Sequence, residues 1–324
     1  MSVVDPPVLP NADGARRGRE ASEGDAAAPD AADAALLDAV RARPRLFVLG
    51  GAGCSTAAGL GDYRDRQGRW KRKQPITGQT FRSDEAMRKR YWARSSVGWP
   101  AFSAARPAAA HRALVRLQRL GTARHLVTQN VDGLHGAAGH EGVIDLHGRL
   151  DRVVCLGCGR ITARDAFQRR LLGANPWLAG LSAAHAPDGD ADLELADVER
   201  LTVPGCEACG AMLKPDVVFF GENVPRERVE DALARLADSD ALLVAGSSLM
   251  VFSGYRFARA AAASGRPVLI VNDGVTRADG LAALRVGGDV GARLARLADA
   301  LEGRARPDAG QIPIGGASAA HPNG

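Results

Sequence analysis

The chain has 324 residues, of which 46% are hydrophobic and 24% charged, as in ordinary globular proteins. This length accommodates one large domain, or a large domain with a small partner. No apolar run reaches the roughly 18 residues that a membrane helix needs, and the N-terminus lacks the apolar core of a secretory signal. We therefore expect a cytoplasmic protein without a membrane partner.

The formal net charge is +5 and the isoelectric point is about 9.2, so a nucleic-acid partner has to be considered. Much of the positive excess lies in one basic stretch, residues 64–73. Aromatic residues, which stack on bases, make up only 5% of the chain. A basic cluster beside a phosphate-binding loop explains the charge as well as DNA does, and we do not expect a nucleic-acid partner.

Residues 1–33 and 304–324 are rich in small and polar residues without apolar periodicity, which predicts disordered tails. Between them, apolar runs alternate with amphipathic stretches. The predicted strands are 46–49, 125–128, 217–220, 241–245 and 268–271, and the predicted helices are 111–120, 226–237 and 254–263. This alternation predicts an α/β fold with a doubly wound, Rossmann-like parallel sheet, formed by residues 34–150 and 215–303.

Residues 151–214 break this alternation and carry two C-x-x-C pairs near their ends, Cys155 with Cys158 and Cys206 with Cys209. Two such knuckles can complete a tetrahedral zinc site with four thiolates, which leaves no open position and indicates a structural ion. The alternatives are a redox pair or core thiols. We predict a small zinc-binding module inserted into the sheet domain, and we interpret Cys54 as a small buried residue rather than a nucleophile.

A glycine-rich turn, residues 51–59, follows the first predicted strand and precedes a predicted helix. Glycines let backbone N–H groups approach a pyrophosphate at a helix N-terminus, although many α/β proteins use such turns only structurally. The acidic residue expected about twenty positions later in a dinucleotide fingerprint is not evident. Asn272 and Asp273, after the last predicted strand, could bind the adenosine ribose instead.

Polar side chains follow another predicted strand. Gln129, Asn130 and Asp132 would project into the crevice at the strand ends, where they could fix a sugar or an amide, and helix capping is an equal alternative. His147 ends the strand-like run 143–146 on the same side. It is therefore a candidate general base, although a lone histidine is more often a structural residue. The other six histidines have weaker claims.

Together these segments resemble the sirtuin (Sir2) family. The likeness extends over residues 36–301 and rests on segments 51–64, 128–139, 146–148, 246–249 and 270–272. Residues 90–94, 97–100, 186–190, 214–222 and 246–256 are similar to class II sirtuins.

The resemblance implies an NAD-dependent protein-lysine deacetylase or deacylase, with NAD as a consumed co-substrate and one structural Zn²⁺. The acyl-lysine carbonyl oxygen would attack the nicotinamide ribose and expel nicotinamide. His147 would then take a proton from a ribose hydroxyl, and Asn130 and Asp132 would complete the catalytic group. The products would be free lysine and O-acyl-ADP-ribose.

The resemblance also implies the binding residues. Those for NAD are Gly51, Ala52, Gly53, Ser55, Asp62, Tyr63, Arg64, Gln129, Asn130, Val131, Asp132, Gly246, Ser247, Ser248, Asn272, Asp273, Gly274 and Val290. The acyl-lysine protein substrate would add as a strand beside Val218, Phe219, Phe220, Gly221 and Glu222.

Two departures from the family stand out. Leu60-Gly61-Asp62 replaces the usual Ile-Pro-Asp, which predicts a more flexible cofactor loop. Tyr91 and Arg94 have a Tyr-x-x-Arg spacing that binds acidic acyl groups in another sirtuin branch, which suggests that carboxylated acyl chains are also accepted; a helix packing pair is the alternative. Rival functions are mono-ADP-ribosyl transfer to protein, hydride transfer by a dehydrogenase, and nucleic-acid binding by a zinc module.

Overall fold

The computed structural model describes residues 30–71, 75–179, 181 and 198–305, and the side chains of residues 304 and 305 lie outside this description. The strands are β1 (Leu46–Gly50), β2 (Ala123–Thr128), β3 (Ile144–Asp145), β4 (Gly148–Cys155), β5 (Ile161–Ala163), β6 (Leu213–Val217), β7 (Ala241–Ala245), β8 (Val268–Val271) and β9 (Ala282–Val286). The helices are α1 (Ala31–Ala42), α2 (Gly78–Ser83), α3 (Glu85–Ala104), α4 (Ala109–Arg119), α5 (Leu134–Ala137), α6 (Arg164–Ala174), α7 (Arg226–Ala237), α8 (Phe252–Ala263) and α9 (Val290–Ala305).

The larger lobe is a six-stranded parallel sheet with the order β3-β2-β1-β7-β8-β9. Its central strands β1, β7 and β8 are buried along their whole length, as expected for strands covered on both faces. One hydrophobic core packs α1, α4 and α9 against one face, and a second packs α7 and α8 against the other. The predicted doubly wound sheet is confirmed.

The direction in which the chain adds strands reverses between β1 and β7. From β1 the sheet continues to one side through β2 and β3, and to the other side through β7, β8 and β9. In open parallel sheets, ligands bind in the crevice beyond the carboxyl ends of the strands at such a reversal. The loops after β1, β2, β7 and β8 all end at this edge of the sheet. The polar segments singled out in the sequence are those loops.

The smaller lobe is built around a three-stranded sheet with the order β5-β4-β6. The sequence pattern predicts a parallel strand over residues 217–220, and this is wrong. The strand is β6, it ends at Val217, and it pairs antiparallel with β4. The chain then turns, with Gly221 at φ 79° and the Glu222 N–H donating to the Phe219 carbonyl.

The smaller lobe also contains residues that the sequence pattern assigns to the larger one. Helix α3 packs its aromatic side chains, among them Trp92 and Trp99, with Phe167 and Leu171 of α6 in a single core. The guanidinium group of Arg164 is buried among these rings and contacts Gln168. Residues of α2 and α3 therefore belong with the cysteine-containing module, because their apolar surface is buried there.

Helices extend by two or three residues into both predicted tails. Helix α1 begins at Ala31, where Asp30 caps the backbone N–H groups of Ala32 and Asp33, and helix α9 continues to Ala305. The remainder of both predicted tails, and the segment 186–190, lie outside the described residues. Across the part of the chain that the structure describes, every helix is too short or too polar to cross a membrane.

Candidate active site

A cleft with a volume of about 1280 Å³ lies between the two lobes at the carboxyl edge of the parallel sheet. It is lined by the loops after β1, β2, β7 and β8 from the larger lobe, and by α3 and the segment after β6 from the smaller lobe. Every residue that the sequence assigns to catalysis, NAD binding or substrate binding lines this cleft. Residues far apart in the sequence are thus brought together at one place.

The glycine turn after β1 does not open an α-helix, contrary to the sequence prediction. It forms two short 3₁₀ turns, Ala52–Cys54 and Thr56–Ala58, and ends at Gly59 with φ 82°. The N–H groups of Gly51 and Gly53 donate to the carbonyls of Ala245 and Gly246, which ties the turn to the end of β7. These bonds to the end of β7 hold the turn in a conformation other than an α-helix.

The hydroxyl of Ser55 is the centre of a buried polar network. It donates to Asp132 Oδ2 at 2.7 Å and accepts from Asn130 Nδ2 at 3.0 Å. The third contact is His111 Nε2 at 3.3 Å; because His111 Nδ1 accepts the Ala108 N–H, Nε2 carries the proton and donates to Ser55. The hydroxyl thus uses its donor and both acceptor sites, which fixes Asn130 and Asp132 at the cleft wall.

Gln129 joins the loop after β2 to the loop after β7. Its side-chain amide nitrogen, Nε2, donates to Ser247 Oγ at 2.8 Å, and Ser247 Oγ also accepts the Leu249 N–H. Leu249 is a buried non-glycine residue with φ 55°, a strained backbone conformation of the kind that clusters at functional sites. The strain is held in place by these contacts.

The imidazole of His147 is held at both nitrogens. Nδ1 lies 2.8 Å from the Gln129 carbonyl oxygen, and Nε2 lies 2.8 Å from Ser253 Oγ. A carbonyl only accepts, so Nδ1 carries the proton and Nε2 presents a lone pair to the cleft. Burial lowers the pKa of His147 to about 4, and the charges of Arg228 and Arg256 act in the same direction. The ring is therefore a neutral base at pH 7.

The residues predicted to hold phosphate and adenosine make contacts within the protein. Arg64 donates to the Gly68 carbonyl at 2.8 Å and lies 4.0 Å from the centre of the Trp70 ring, while burial lowers its pKa. Asn272 donates to the Gly274 carbonyl at 2.8 Å, and Asp273 forms an ion pair with Arg66 at 2.6 Å. The Arg66–Asp273 pair joins the segment after the glycine turn to the loop after β8.

A carboxylate fixes the segment after β6 that is predicted to bind the substrate backbone. Glu222 Oε2 accepts the Phe219 N–H at 2.9 Å and pairs with the buried ammonium of Lys214 at 3.1 Å. Arg82 of α2 reaches the other carboxylate oxygen at 2.7 Å. The segment is also joined to α2 by a backbone bond from Gly78 to Phe220. Its shape is thus set by the smaller lobe.

The four cysteines of the two C-x-x-C pairs converge, with their sulfur atoms all within 4.8 Å of one another. The Sγ–Sγ distances are 3.4 Å for Cys155–Cys209 and 3.8 Å for Cys158–Cys206. Thiolates about 2.3 Å from a tetrahedral zinc ion are about 3.8 Å apart, so the cluster fits this metal. The N–H groups of Cys158 and Gly157 point at Cys155 Sγ and lower its pKa, which favours the thiolate. The four cysteines are positioned to bind a zinc ion.

Comparison with known proteins decides the family. The Sir2 family model matches residues 51–253, which is more than half of the chain. The chain belongs to the Sir2 family. An "NAD-dependent protein deacetylase" of Xanthomonas campestris pv. campestris (strain 8004) is 58% identical over 252 residues, covering 78% of this chain and 86% of its own length. "NAD-dependent protein deacetylase 2" of Bradyrhizobium diazoefficiens is 58% identical over 256 residues, covering 79% and 93%.

Solved structures of Sir2 proteins have the same fold. A Sir2 protein with a deacetylated peptide and 3′-O-acetyl ADP-ribose has a TM-score of 0.67 and 27% identity, covering 82% of this chain and 97% of its own. A complex of a Sir2 homologue with NAD has a TM-score of 0.64 and 26% identity, covering 84% and 94%. The recognised family is confirmed, whereas the class II subgroup stays a prediction.

Two residues that contact this Sir2 site could not be predicted from the sequence. His111, which supports Ser55 from behind, lies on α4 and has no motif that connects it with the glycine turn. Ser253, which contacts His147, lies on α8 and is 106 residues away in sequence. Both contacts depend on how helices pack against the sheet. Spacing along the chain carries no signal for either.

Proposed function

We propose that this chain is an NAD-dependent protein-lysine deacetylase or deacylase that releases nicotinamide and O-acyl-ADP-ribose. The proposal rests on one observation above all: in a chain of the Sir2 family, the neutral imidazole of His147 faces the cleft that the glycine turn and the Asn130–Asp132 loop also line. The Sir2 relatives named above carry deacetylase names. Acyl-lysine proteins are accordingly the proposed substrates, and Zn²⁺ the proposed structural ion.

The proposed NAD contacts follow the loops of the larger lobe. The turn from Gly51 to Ser55 and the loop from Gly246 to Ser248 take the phosphates, with Arg64 as their counter-charge. The loop after β8, from Asn272 to Gly274, takes the adenosine ribose, and the backbone of Val290 lies at the adenine end. Asp62 and Tyr63 cover the reactive centre. All of these residues line one continuous cleft, as a stretched dinucleotide requires.

Catalysis then depends on the loop after β2 and on His147. Gln129, Asn130 and Val131 position the nicotinamide ribose, and Asp132, fixed by Ser55, receives the nicotinamide amide. The acyl carbonyl oxygen attacks the anomeric carbon of the ribose and nicotinamide leaves. Nε2 of His147 then removes a proton from a ribose hydroxyl, whose oxygen attacks the carbon of the former acyl group. The lone pair on Nε2 suits this step. The lysine amine leaves this carbon and water adds to it, which gives free lysine and O-acyl-ADP-ribose.

The test combines NAD with acetyl-lysine peptides and compares the wild type with His147→Ala. Deacetylation should fall by a factor of about a hundred or more, as is typical when a general base is lost. His125→Ala is the matched control, because His125 pairs with Asp238 on the surface and is not part of the cleft lining. O-acetyl-ADP-ribose in solution supports the proposal. Radiolabel from NAD fixed on protein instead would favour ADP-ribosyl transfer and contradict it.

We further propose that the acyl pocket accepts longer or carboxylated acyl chains as well as acetyl. Tyr91 and Arg94 lie on the same helix, and both line the cleft. The Tyr91 ring is held edge-on against Phe81 and Phe219, which fixes one wall of the pocket. A guanidinium group on that wall provides a charge-assisted contact for a carboxylate.

The acyl preference is tested with acetyl- and glutaryl-lysine peptides. Arg94→Ala should reduce the turnover of glutaryl-lysine more than that of acetyl-lysine, and Arg94→Lys should recover only part of it, because an ammonium group cannot form the bidentate contact. An unchanged ratio of the two rates in Arg94→Ala would contradict the acyl proposal. It would leave the deacetylase proposal intact.

A further inference from the structure

Ser253 lies in the first turn of α8, directly against the proposed general base. Its Oγ is 2.8 Å from His147 Nε2, and its side chain lines the cleft. The sequence segment around it contributes only to the family likeness. No role in binding or catalysis follows from that likeness, so the contact needs an explanation of its own.

The position of Ser253 is fixed by the same residue that orients the imidazole. The Gln129 carbonyl holds Nδ1 of His147, and the Gln129 side chain packs against Gly254, the next residue of α8. A Cβ atom at Gly254 would come within 2.3 Å of Gln129 Oε1, so an alanine there would displace the Gln129 side chain. The serine hydroxyl and the imidazole are thus held as one unit.

The direction of the hydrogen bond follows from the tautomer. Nδ1 carries the proton, so the Ser253 hydroxyl donates to the lone pair of Nε2 before the reaction. Within the described residues, the imidazole has these two hydrogen-bond partners and no carboxylate among them. The nearby charges that affect it, Arg228 and Arg256, both oppose its protonation. A protonated ring therefore needs a neutral acceptor.

A hydroxyl group can provide both interactions, because it donates or accepts by rotation about one bond. We propose that Ser253 is a positioning residue for the general base. Its hydroxyl aims Nε2 at the cleft in the resting enzyme and gives way to the ribose hydroxyl. It then accepts a hydrogen bond from the Nε2–H that the ring gains. The proton moves from the ribose oxygen to Nε2, and Ser253 keeps its own proton.

This inference rests on the proposed function and concerns only its second step. Expulsion of nicotinamide precedes proton removal by His147, and its reversal incorporates labelled nicotinamide into NAD. Nicotinamide exchange therefore reports the first step, and deacetylation reports both. A residue that supports His147 should affect the second without the first.

The experiment compares Ser253→Ala, Ser253→Thr and the matched control Ser264→Ala, a serine at the far end of α8 that bonds only to backbone carbonyls. For Ser253→Ala, deacetylation should fall about tenfold or more while nicotinamide exchange stays within about twofold, since a hydrogen bond to a charged ring is lost. Ser253→Thr keeps the hydroxyl and should restore most of the deacetylation rate. Ser264→Ala should match the wild type in both assays.

Two results would overturn the inference: an unchanged deacetylation rate in Ser253→Ala, or an equal loss in both assays that threonine does not restore. If the alanine variant does not fold, Ser253→Cys replaces it, because a thiol keeps the size but is a weak donor and acceptor. A wild-type protein without nicotinamide exchange would instead contradict the proposed function. The two failures are therefore distinguishable.

Discussion

Gly53 packs against the loop after β7 so closely that only a hydrogen atom fits in place of a side chain. A Cβ atom would lie 2.8 Å from the Gly246 Cα and 3.0 Å from its carbonyl oxygen, and both are backbone atoms that cannot turn away. Gly51 is similarly close to Ser247. At these two positions, glycine is required by the contact between two loops of the cleft rather than by a left-handed conformation.

We predict that Gly53→Ala weakens NAD binding by about five- to 150-fold, because the alanine must push the two phosphate-binding loops apart, at a cost of about 1–3 kcal/mol for such overpacking. Calorimetric titration with NAD measures the effect. The control is Gly136→Ala in α5, where an added Cβ meets no atom within 4 Å. Equal affinity in Gly53→Ala and the wild type would contradict the proposed phosphate site.

The lowered pKa of His147 leads to a second prediction, about the dependence of the reaction rate on pH. Burial lowers its pKa from 6.5 to about 4, so the ring loses its proton at a lower pH than an exposed histidine. As the neutral form is the base, the rate should remain high below pH 6.5 and fall only toward about pH 4. Initial rates measured immediately after transfer to each pH separate this effect from slow unfolding. An acid limb centred at pH 6.5 or above would contradict it.

At the scale of elements, the smaller lobe depends on the two cysteine knuckles. Its sheet has only three strands, of which β5 has three residues, and three strands are about the minimum for a sheet that is stable by itself. The knuckles join β4 to the segment before β6, and β6 leads into the substrate segment. A metal at this position would therefore hold the peptide side of the cleft in place.

We predict that Cys206→Ser removes the bound zinc and unfolds the smaller lobe, since metal binding and folding are coupled in such modules. Zinc content by mass spectrometry should fall from one per chain to near zero, and binding of acyl-lysine peptides should be lost. Cys54→Ala is the control, because its thiol is buried beside the glycine turn and donates to Ala245 instead. Full zinc content in Cys206→Ser would disprove the four-cysteine site.

Seven elements of the larger lobe could be predicted from sequence, because each depends on local periodicity; they are β1, β2, β7, β8, α4, α7 and α8, whereas α1, α5, β9 and α9 are not predicted. The bounds of α7, β7 and β8 agree with the prediction, and those of β1 and α4 differ by one or two residues. The strand predicted at 217–220 was placed in the wrong sheet because its partner, β4, is about 60 residues away. Helices α2 and α3 are not predicted from the sequence, since residues 91–99 of α3 are nearly all buried and show no apolar stripe.

At the scale of the whole molecule, three buried histidines lie behind the cleft. His111 and His135 have ring centres 4.6 Å apart, and neither ring nitrogen of His135 has a hydrogen-bond partner among the described residues. Burial lowers the pKa of both, and also that of His140. His111 contacts Ser55, and His135 packs against the ring of His111.

We predict that the folded protein loses stability as the pH falls below 6.5. The unfolded chain then binds protons that the folded chain excludes, so stability is complete above the unfolded pKa and decreases below it, by about 1.4 kcal/mol per pH unit for a fully buried histidine such as His135. Urea unfolding at pH 7.5, 6.5 and 5.5 measures the slope. His135→Leu should reduce the slope, and an unchanged slope would contradict the assignment.

The sequence by itself determined the class of fold, the zinc cysteines and the residues that line the cleft. The fold class and the cysteines follow from local patterns, namely apolar runs and two knuckles, and most of the cleft residues follow from the family likeness of the segments that carry them. Only the tertiary structure decided which lobe holds α3, that the glycine turn is not a helix, and that His111 and Ser253 support the site. These depend on contacts between distant elements, because a hydrogen bond or a close approach across the fold leaves no periodic trace in the chain.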